Sequence, residues 1–341
     1  MIKVLLASEY WPGATARSLL PGLRSCGWQV HELDLQRYFA SGTTLVERAA
    51  ARLGHRRRSS AFNRAILKTA SDHDVDLFLT VKGADVSAST VRSLQQEGVF
   101  CVNFYPDVFF NDVSIERAAA YDLLVTTKSF HLPDIGRVAR DDRFAFLHHG
   151  YSDEHHRATV AAGGKDVDVL YIGNAGPAKI AFMIMIAQAL PGTAFRVVGT
   201  GWRPSSGKSW PANIEFVPLR RGDDYATEIA RANIVLAFHN GASDCTGYTD
   251  RVSTRTFEIP ACGGFMLHVD NDEVRSLYRV PDEIETFTDA DNCAAKIRYW
   301  LAHPEEREAV AARGHARAVP AYGYAARGRE LAQMIEERLN R

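Results

Sequence analysis

Short apolar runs recur along the chain, and helix-period segments fill the gaps between them. IKVLLAS (2–8) is one such run, rich in leucine and β-branched residues. A Pro-Gly loop follows. ARSLLPGLRSCG (16–27) then places Leu19, Leu20 and Leu23 on one helical face, with Pro21 interrupting its regularity. WQVHELDL (28–35) returns to a strand pattern. Strand, glycine loop, helix and strand make a βαβ unit. The alternation continues through DLFLTVKG (76–83, strand), SASTVRSLQQEG (87–98, helix) and VFCVNFY (99–105, strand). VSIERAAAY (113–121, helix), DLLVTTK (122–128, strand) and FAFLHHG (144–150, strand) complete the first half.

Residues 150–166, GYSDEHHRATVAAGGKD, are polar, small and aperiodic, and read as a linker. The alternation then restarts. DVLYIGNAGPAK (168–179) is a strand, a Gly-rich loop and a helix start; AFRVVGTGW (194–202) is a second strand ending in glycine. IEFVP (214–218), NIVLAF (233–238) and GFMLHV (264–269) supply further strands, and the tail is helical and charged. The pattern predicts an α/β protein of two Rossmann-like, doubly wound domains facing a cleft, with parallel sheets and helices on both faces. The expected divisions are 1–150, a linker at 151–166, 167–318, and a C-terminal helix at 319–341 that could cross back to the N-terminal domain. Ligands of such sheets bind outside the carboxyl ends of the strands, so the loops after the strands hold the candidate chemistry.

The length of 341 residues fits two domains, and 46% apolar with 24% charged residues is a soluble globular profile. The formal net charge of −1 gives no nucleic-acid signal. Five scattered cysteines without a CxxC pair suggest reduced thiols in a cytoplasmic protein. No secretory signal is visible at the start. The longest apolar run, IAFMIMIAQAL (180–190), would span only about 16 Å as a helix, too little to cross a bilayer.

The richest stretch is RVSTRTFEIPACGGFML (251–267). Ser253 or Thr254 can cap a helix there, and its first-turn N–H groups and dipole would favour a phosphate. Arg255 adds a planar fork suited to phosphate oxygens. Glu258, one turn on, is an acceptor pair suited to vicinal sugar hydroxyls, and Asp250 precedes it in a D-x7-E spacing. Helix starts attract the same residues for capping alone, so the stretch by itself leaves both readings open.

NIVLAFHNGASDCTGYTDRVSTRTFEIPACGGFMLHVDNDEV (233–274) resembles the donor-binding segment of GT-B glycosyltransferases, and within them the CgeB-type, group 1-like members with their R-x-FE-x-x-AcG core. VLYIGNAGPAK and RVVGTGW fit the same domain in order. VKGAD (81–85), NFYPD (103–107), YDLLVTT (121–127) and LHHGYSDEHHR (147–157) resemble the acceptor-domain landmarks. The resemblance implies transfer of a hexosyl or related sugar from a UDP-, GDP- or dTDP-linked donor to a glycan, glycolipid or small-molecule acceptor, as in polysaccharide biosynthesis. It implies that Glu258 binds the ribose and that Arg255, with Ser253, Thr254 and Thr256, holds the pyrophosphate. Asp250 stands where many relatives carry a glutamate contacting the donor sugar. Gly173 and Asn174 would approach the phosphates. Lys179 would supply a charge, although the arginine many relatives pair with it is not evident here. Pre-aimed N–H groups and a cation stabilise a leaving diphosphate without a metal, so no metal or other cofactor is expected.

Gly13 follows the first strand and suits either close approach to phosphates or a simple turn. Asp107, ending a strand, is the candidate base or acceptor-positioning group, the alternative being an Asx turn after Pro106. Lys82, after the strand DLFLTV, suits neutralising a phosphate or pairing with Asp85, and the ion pair is the favoured reading. His149 could touch ligand. The HH-x5-HH set (His148, His149, His155, His156) lacks zinc spacing, and the aspartates at 72, 74 and 76, at 166 and 168, and at 270 and 272 read as turn residues rather than metal ligands. The basic 48–68 segment reads as a solvated helical face or as a peripheral membrane contact. Two other functions fit the fold: a GT-B sugar-nucleotide epimerase and a non-catalytic nucleotide-sugar-binding protein. An NAD-dependent enzyme is disfavoured, because no GxGxxG follows the first strand.

Overall fold

The computed structural model describes residues 1–39, 54–83, 85–108, 120–136, 141–202, 210–239 and 249–340. These fall into two compact units, Met1–His149 with Tyr324–Arg341, and Gly150–Gly323. The helix expected at 113–121 lies almost wholly outside the described residues, as do positions 48–53 of the basic segment and 240–248 of the family-like stretch.

The first unit opens with β1 (Lys3–Ser8), α1 (Thr15–Ser25) and β2 (Gln29–Asp34), followed by α2 (His55–His73) and β3 (Leu77–Val81). α3 (Ala88–Gln96), β4 (Phe100–Tyr105), β5 (Leu123–Thr126) and β6 (Phe144–Phe146) complete its sheet. The strand order is β2-β1-β3-β4-β5-β6, and every pairing is parallel. The inner strands β1, β3, β4 and β5, covered on both faces, are mostly apolar and buried, whereas the edge strand β2 is largely polar and half-exposed. Leu5, Ala7 and Phe78 face Phe62 and Ile66 of α2; Val4, Leu6 and Leu79 face Leu19 and Leu23 of α1. α1 runs straight through Pro21, whose ring lies on the exposed side, where the missing N–H costs least.

The second unit holds β7 (Val167–Ile172), α4 (Pro177–Ala189), β8 (Phe195–Val198), β9 (Ile214–Val217), α5 (Asp223–Ala230) and β10 (Ala232–Ala237). It continues with α6 (Thr254–Ala261), β11 (Met266–Val269), α7 (Asp272–Leu277), β12 (Glu285–Phe287), α8 (Ala290–Ala302) and α9 (Pro304–Ala318). Its order is β12-β11-β10-β7-β8-β9, again all parallel, with apolar clusters on both faces. The short β12 and helices α5 and α8 carry too little periodicity to be read from the sequence.

The last helix, α10 (Tyr324–Leu339), belongs to the first unit and packs along α1. Trp28 Nε1 donates to Glu336 Oε1 at 2.8 Å, and Leu331 and Ile335 join the core beneath α1. Residues 151–166, expected as a linker, are folded into the second unit. Tyr151 sits in its core and donates its N–H to Tyr322 O at 3.2 Å. A polar, Gly-rich composition does not stop a stretch from docking through one buried aromatic. No helix among the described residues is long and apolar enough to cross a membrane.

Candidate functional site

The second sheet reverses its winding between β7 and β10, and the carboxyl ends of two such strands diverge to leave a crevice. β7 runs out into Gly173 and Asn174, and β10 into Phe238 and His239. Helix α6 starts at the same place. Its N-cap, Ser253, is extended, and Thr256 Oγ1 accepts the Ser253 N–H at 3.2 Å. The Ser253 hydroxyl is buried in the capping-box position over the Thr256 N–H, without a hydrogen bond of normal geometry to any described residue.

Arg255 reaches back from the first turn of α6 into the crevice. Its Nη2 donates to Phe238 O at 3.3 Å and faces His239 Nδ1 at 3.3 Å, while the guanidinium lies over the Tyr171 ring, 5.2 Å from the centroid. Its Nε is buried without a partner. Gly173 makes the position available: a Cβ there would stand 2.5 Å from Arg255 Nη1. Gly199, at the end of β8, is tighter still, since a Cβ on it would lie 2.2 Å from Gly173 O. Burial alone would lower the guanidinium's pKa. The Tyr171 and Tyr225 hydroxyls and the Glu258 and Asp250 carboxylates outweigh it and hold that pKa above its ordinary value, so the cation is permanent.

Glu258 stands one turn further along α6. Its Oε2 accepts from Tyr225 OH at 2.8 Å, and its Oε1 lies 3.8 Å from His156 Nδ1. That second contact is no ion pair. Ser152 N–H donates to His156 Nδ1 at 3.0 Å, so this nitrogen carries no proton, and burial holds the His156 pKa below its usual value. Asp250 is buried close enough to Arg255 to act on it electrostatically. Asn174 is exposed, with Oδ1 accepting from Thr200 Oγ1 at 2.9 Å; Lys179 is buried and turns its Nζ back to Asn174 O at 3.3 Å. Thr254 is half-buried at the head of the helix. The Thr256 side chain is fully buried, with Oγ1 bonded to Ser253 N and His268 Nε2.

The other three expected residues lie in the first unit. Gly13 has φ +86° and follows Pro12 in a turn closed by Ala14 N–H to Trp11 O at 2.8 Å. The turn alone demands a glycine there. Asp107 is 45% exposed in its side chain and pairs with Lys82 Nζ at 3.4 Å. Lys82 therefore turns to Asp107 instead of Asp85, which faces His55 Nε2 at 3.2 Å. It does so from a left-handed backbone (φ +67°), an uncommon conformation for a side chain to adopt. His149 is buried, with Nε2 at 2.9 Å from Thr127 Oγ1 and its carbonyl accepting from Arg327 Nε at 3.2 Å.

The remaining titratable clusters disperse. Asp72 pairs with Lys68, Asp74 with Lys3, Asp166 with Arg231 and Asp270 with Arg275, while His155 faces Asp223. Among the described residues no three His, Cys, Asp or Glu side chains converge as a metal-ligand set. In α2, Arg56, Arg57, Arg64 and Lys68 are exposed opposite the buried Phe62 and Ile66.

Residues 181–333 match the family described as glycosyl transferase-like. Sucrose-phosphate synthase from Thermosynechococcus elongatus superposes over 100% of both chains with a TM-score of 0.70 and 14% identity. Anabaena HepE, in complex with UDP and glucose, covers 99% of this chain and 100% of its own, with a TM-score of 0.66 and 12% identity. AviGT4, a glycosyltransferase involved in avilamycin A biosynthesis, covers 100% of this chain and 98% of its own, with a TM-score of 0.68 and 16% identity. No curated protein sequence matches the chain. The chain has the GT-B fold, and its glycosyl transferase-like segment covers most of the second unit and runs on into the last helix, which belongs to the first.

Four residues around the GT-B crevice escaped the sequence reading: Tyr171, Tyr225, His239 and His268. Tyr225 lies on α5, an element too short to be noticed. His268 carried a signal, being a lone imidazole inside the apolar strand run GFMLHV, where a polar ring must find partners.

Proposed function

We propose that this GT-B chain is a glycosyltransferase that moves a sugar from a nucleotide-diphosphate donor to a hydroxyl of a glycan, glycolipid or small molecule, without a metal. The diphosphate sits at the head of α6, on the first-turn N–H groups, the Ser253 hydroxyl and Arg255. Glu258 receives the ribose hydroxyls, and Asp250 faces the sugar. The Gly173–Asn174 backbone approaches the phosphates, with Lys179 supporting that loop. In the reaction the bond from the anomeric carbon to the diphosphate oxygen breaks, and its electron pair leaves with the diphosphate. A bond from the acceptor oxygen forms, and the acceptor's proton passes to a carboxylate, for which Asp107 is the candidate. A fixed cation and aimed amides lower the cost of the charge that gathers on the leaving group. The exposed basic face of α2 is the place for peripheral contact with an anionic surface in the cytoplasm.

One observation carries this reading. A permanent guanidinium and a buried hydroxyl without a hydrogen bond of normal geometry to any described residue meet at the start of a helix, beside the switch point of a doubly wound sheet. The test is a thermal-shift panel of UDP, GDP and dTDP with and without EDTA. At least one diphosphate should raise the unfolding midpoint by about a few degrees at saturating concentration. The chelator should leave the shift intact. No shift with any of the three would refute the donor site, and a shift lost to EDTA would refute metal independence.

A further inference from the structure

Beneath the head of α6 lies a pair of histidines that the proposed chemistry does not use. His268 is fully buried and His239 nearly so, and their Nε2 atoms face each other at 3.1 Å. Two imidazole nitrogens that close need one donor and one acceptor. Each end of the pair decides independently which is which. Arg255 Nη2 only donates, so His239 Nδ1, 3.3 Å away, accepts and the His239 hydrogen is on Nε2. Val269 O only accepts, so His268 Nδ1, 2.6 Å away, carries the His268 hydrogen and its Nε2 accepts. The two assignments agree. The Thr256 hydroxyl, which accepts the Ser253 N–H, donates to the same His268 Nε2 at 2.9 Å, so that one lone pair is shared between the Thr256 O–H and the His239 N–H, and the pair is tied to the N-cap.

We infer that His239 and His268 are positioning residues for Arg255: a hydrogen-bonded relay running Val269 O, His268, His239, Arg255 sets the orientation in which the guanidinium meets the diphosphate. The inference rests on the reading of the crevice as a diphosphate site. Its physical basis is directional. The Tyr171 face bears on the plane of the guanidinium and Phe238 O takes one Nη2 hydrogen, while the acceptor at His239 Nδ1 takes a second directional contact at the same Nη2 and adds to the definition of that edge. A neutral pair does this without adding positive charge that burial would penalise.

The relay makes a prediction on the unliganded full-length chain. With 15N-labelled histidine at pH 7, His268 should show the Nδ1–H tautomer and His239 the Nε2–H tautomer. The reverse tautomer at either ring, or a cationic ring, overturns the relay. The binding arm uses inorganic pyrophosphate, followed by calorimetry, with His239→Phe and His239→Asn. Phenylalanine removes the acceptor facing Arg255, and asparagine keeps an oxygen near the place of Nδ1. Pyrophosphate affinity should fall about 5- to 10-fold in H239F and return to within about 2- to 3-fold of wild type in H239N. Equal losses in both variants, or none in H239F, overturn the positioning role. Should the wild type bind no pyrophosphate, the diphosphate reading fails. The relay is then judged on the tautomers and on the Arg255 guanidinium NMR signals, which should broaden in H239F and stay sharp in H239N. If H239F does not fold, H239N and the wild-type tautomers still decide.

Discussion

Arg255 Nη1 lies where the first side-chain atom of residue 173 would otherwise be, 2.5 Å from a Cβ built on Gly173. The glycine and the arginine, far apart in sequence, are one steric unit. Gly173→Ala must either move the guanidinium or open β7 away from α6. Overpacking of this kind costs about 1–3 kcal/mol. The φ of +150° adds strain for any side chain. The expected outcome is a folded protein with a slightly lower melting temperature and at least about a 10-fold loss of pyrophosphate affinity, measured by calorimetry. Full affinity in G173A would show that Arg255 is not at the anion site.

Glu258 and Tyr225 share a hydrogen bond of 2.8 Å, and together they form the proposed ribose end of the site. Glu258→Gln should weaken the stabilising nucleoside diphosphate by about 10-fold or more, since a bond to a charged group is worth about 1.5–3 kcal/mol. Binding of pyrophosphate, which has no ribose, should change little. Tyr225→Phe should show the same selectivity at smaller amplitude, because it loosens the carboxylate without removing it. Equal losses for both ligands would place Glu258 elsewhere in the site.

The inner strands of both sheets are legible from the sequence because, covered on both faces, they are nearly unbroken apolar runs, whereas the edge strand β12, only Glu285–Phe287, is too short and too polar to stand out. The head of α6 was legible for a similar reason: Ser253, Arg255 and Glu258 stand close together in one stretch. What surrounds it was not. His239 and Tyr171 come from two other strands, and the crevice exists only once β10 pairs with β7. The order of those strands is a tertiary fact that no local pattern carries. Lys82 departs from its expected partner for a related reason. Asp85 is its neighbour in sequence, but the left-handed turn at Lys82 and Gly83 redirects the side chain to the end of the next strand, at Asp107.

Asp107→Asn tests the base. The amide cannot accept a proton yet keeps the shape, so turnover should fall about 10²- to 10⁴-fold with pyrophosphate affinity unchanged. Product analysis on the wild type separates the two enzyme readings: a transferase forms a glycoside with the acceptor, whereas an epimerase yields an altered sugar without one. Unchanged turnover in D107N would move the base to another residue.

Burial pushes His268 down to about 4, against the smaller upward pull of the Val269 carbonyl. In the unfolded chain it titrates near an ordinary histidine value of about 6.5. Between these values the unfolded state binds the proton and the folded state does not, so stability falls as the pH falls through that window. The full effect is about 3 kcal/mol below pH 4, and His156, lowered in the same direction, adds to it. Denaturant unfolding at pH 7.0 and pH 4.5 should show the loss. His268→Gln, which keeps an acceptor and cannot titrate, should make the difference between the two pH values smaller.

The last helix is held to the first unit by a contact that tolerates no side chain. A Cβ on Gly328 of α10 would lie 2.6 Å from Leu19 O and 3.0 Å from Gly22 Cα of α1; one on Gly22 would lie 2.2 Å from Ala325 O. All of these neighbours are backbone, so nothing flexible can yield, and the helices must separate. Separation would pull Leu331 and Ile335 off the core beneath α1. Gly328→Ala gains helix propensity worth about 1 kcal/mol, so a net loss of stability would isolate the steric term. We expect that net loss to be about 2 kcal/mol or more by denaturant unfolding. Limited proteolysis should then release α10 first, and pyrophosphate binding by the second unit should survive. A neutral or stabilised G328A would mean that the two helices sit further apart than this contact requires.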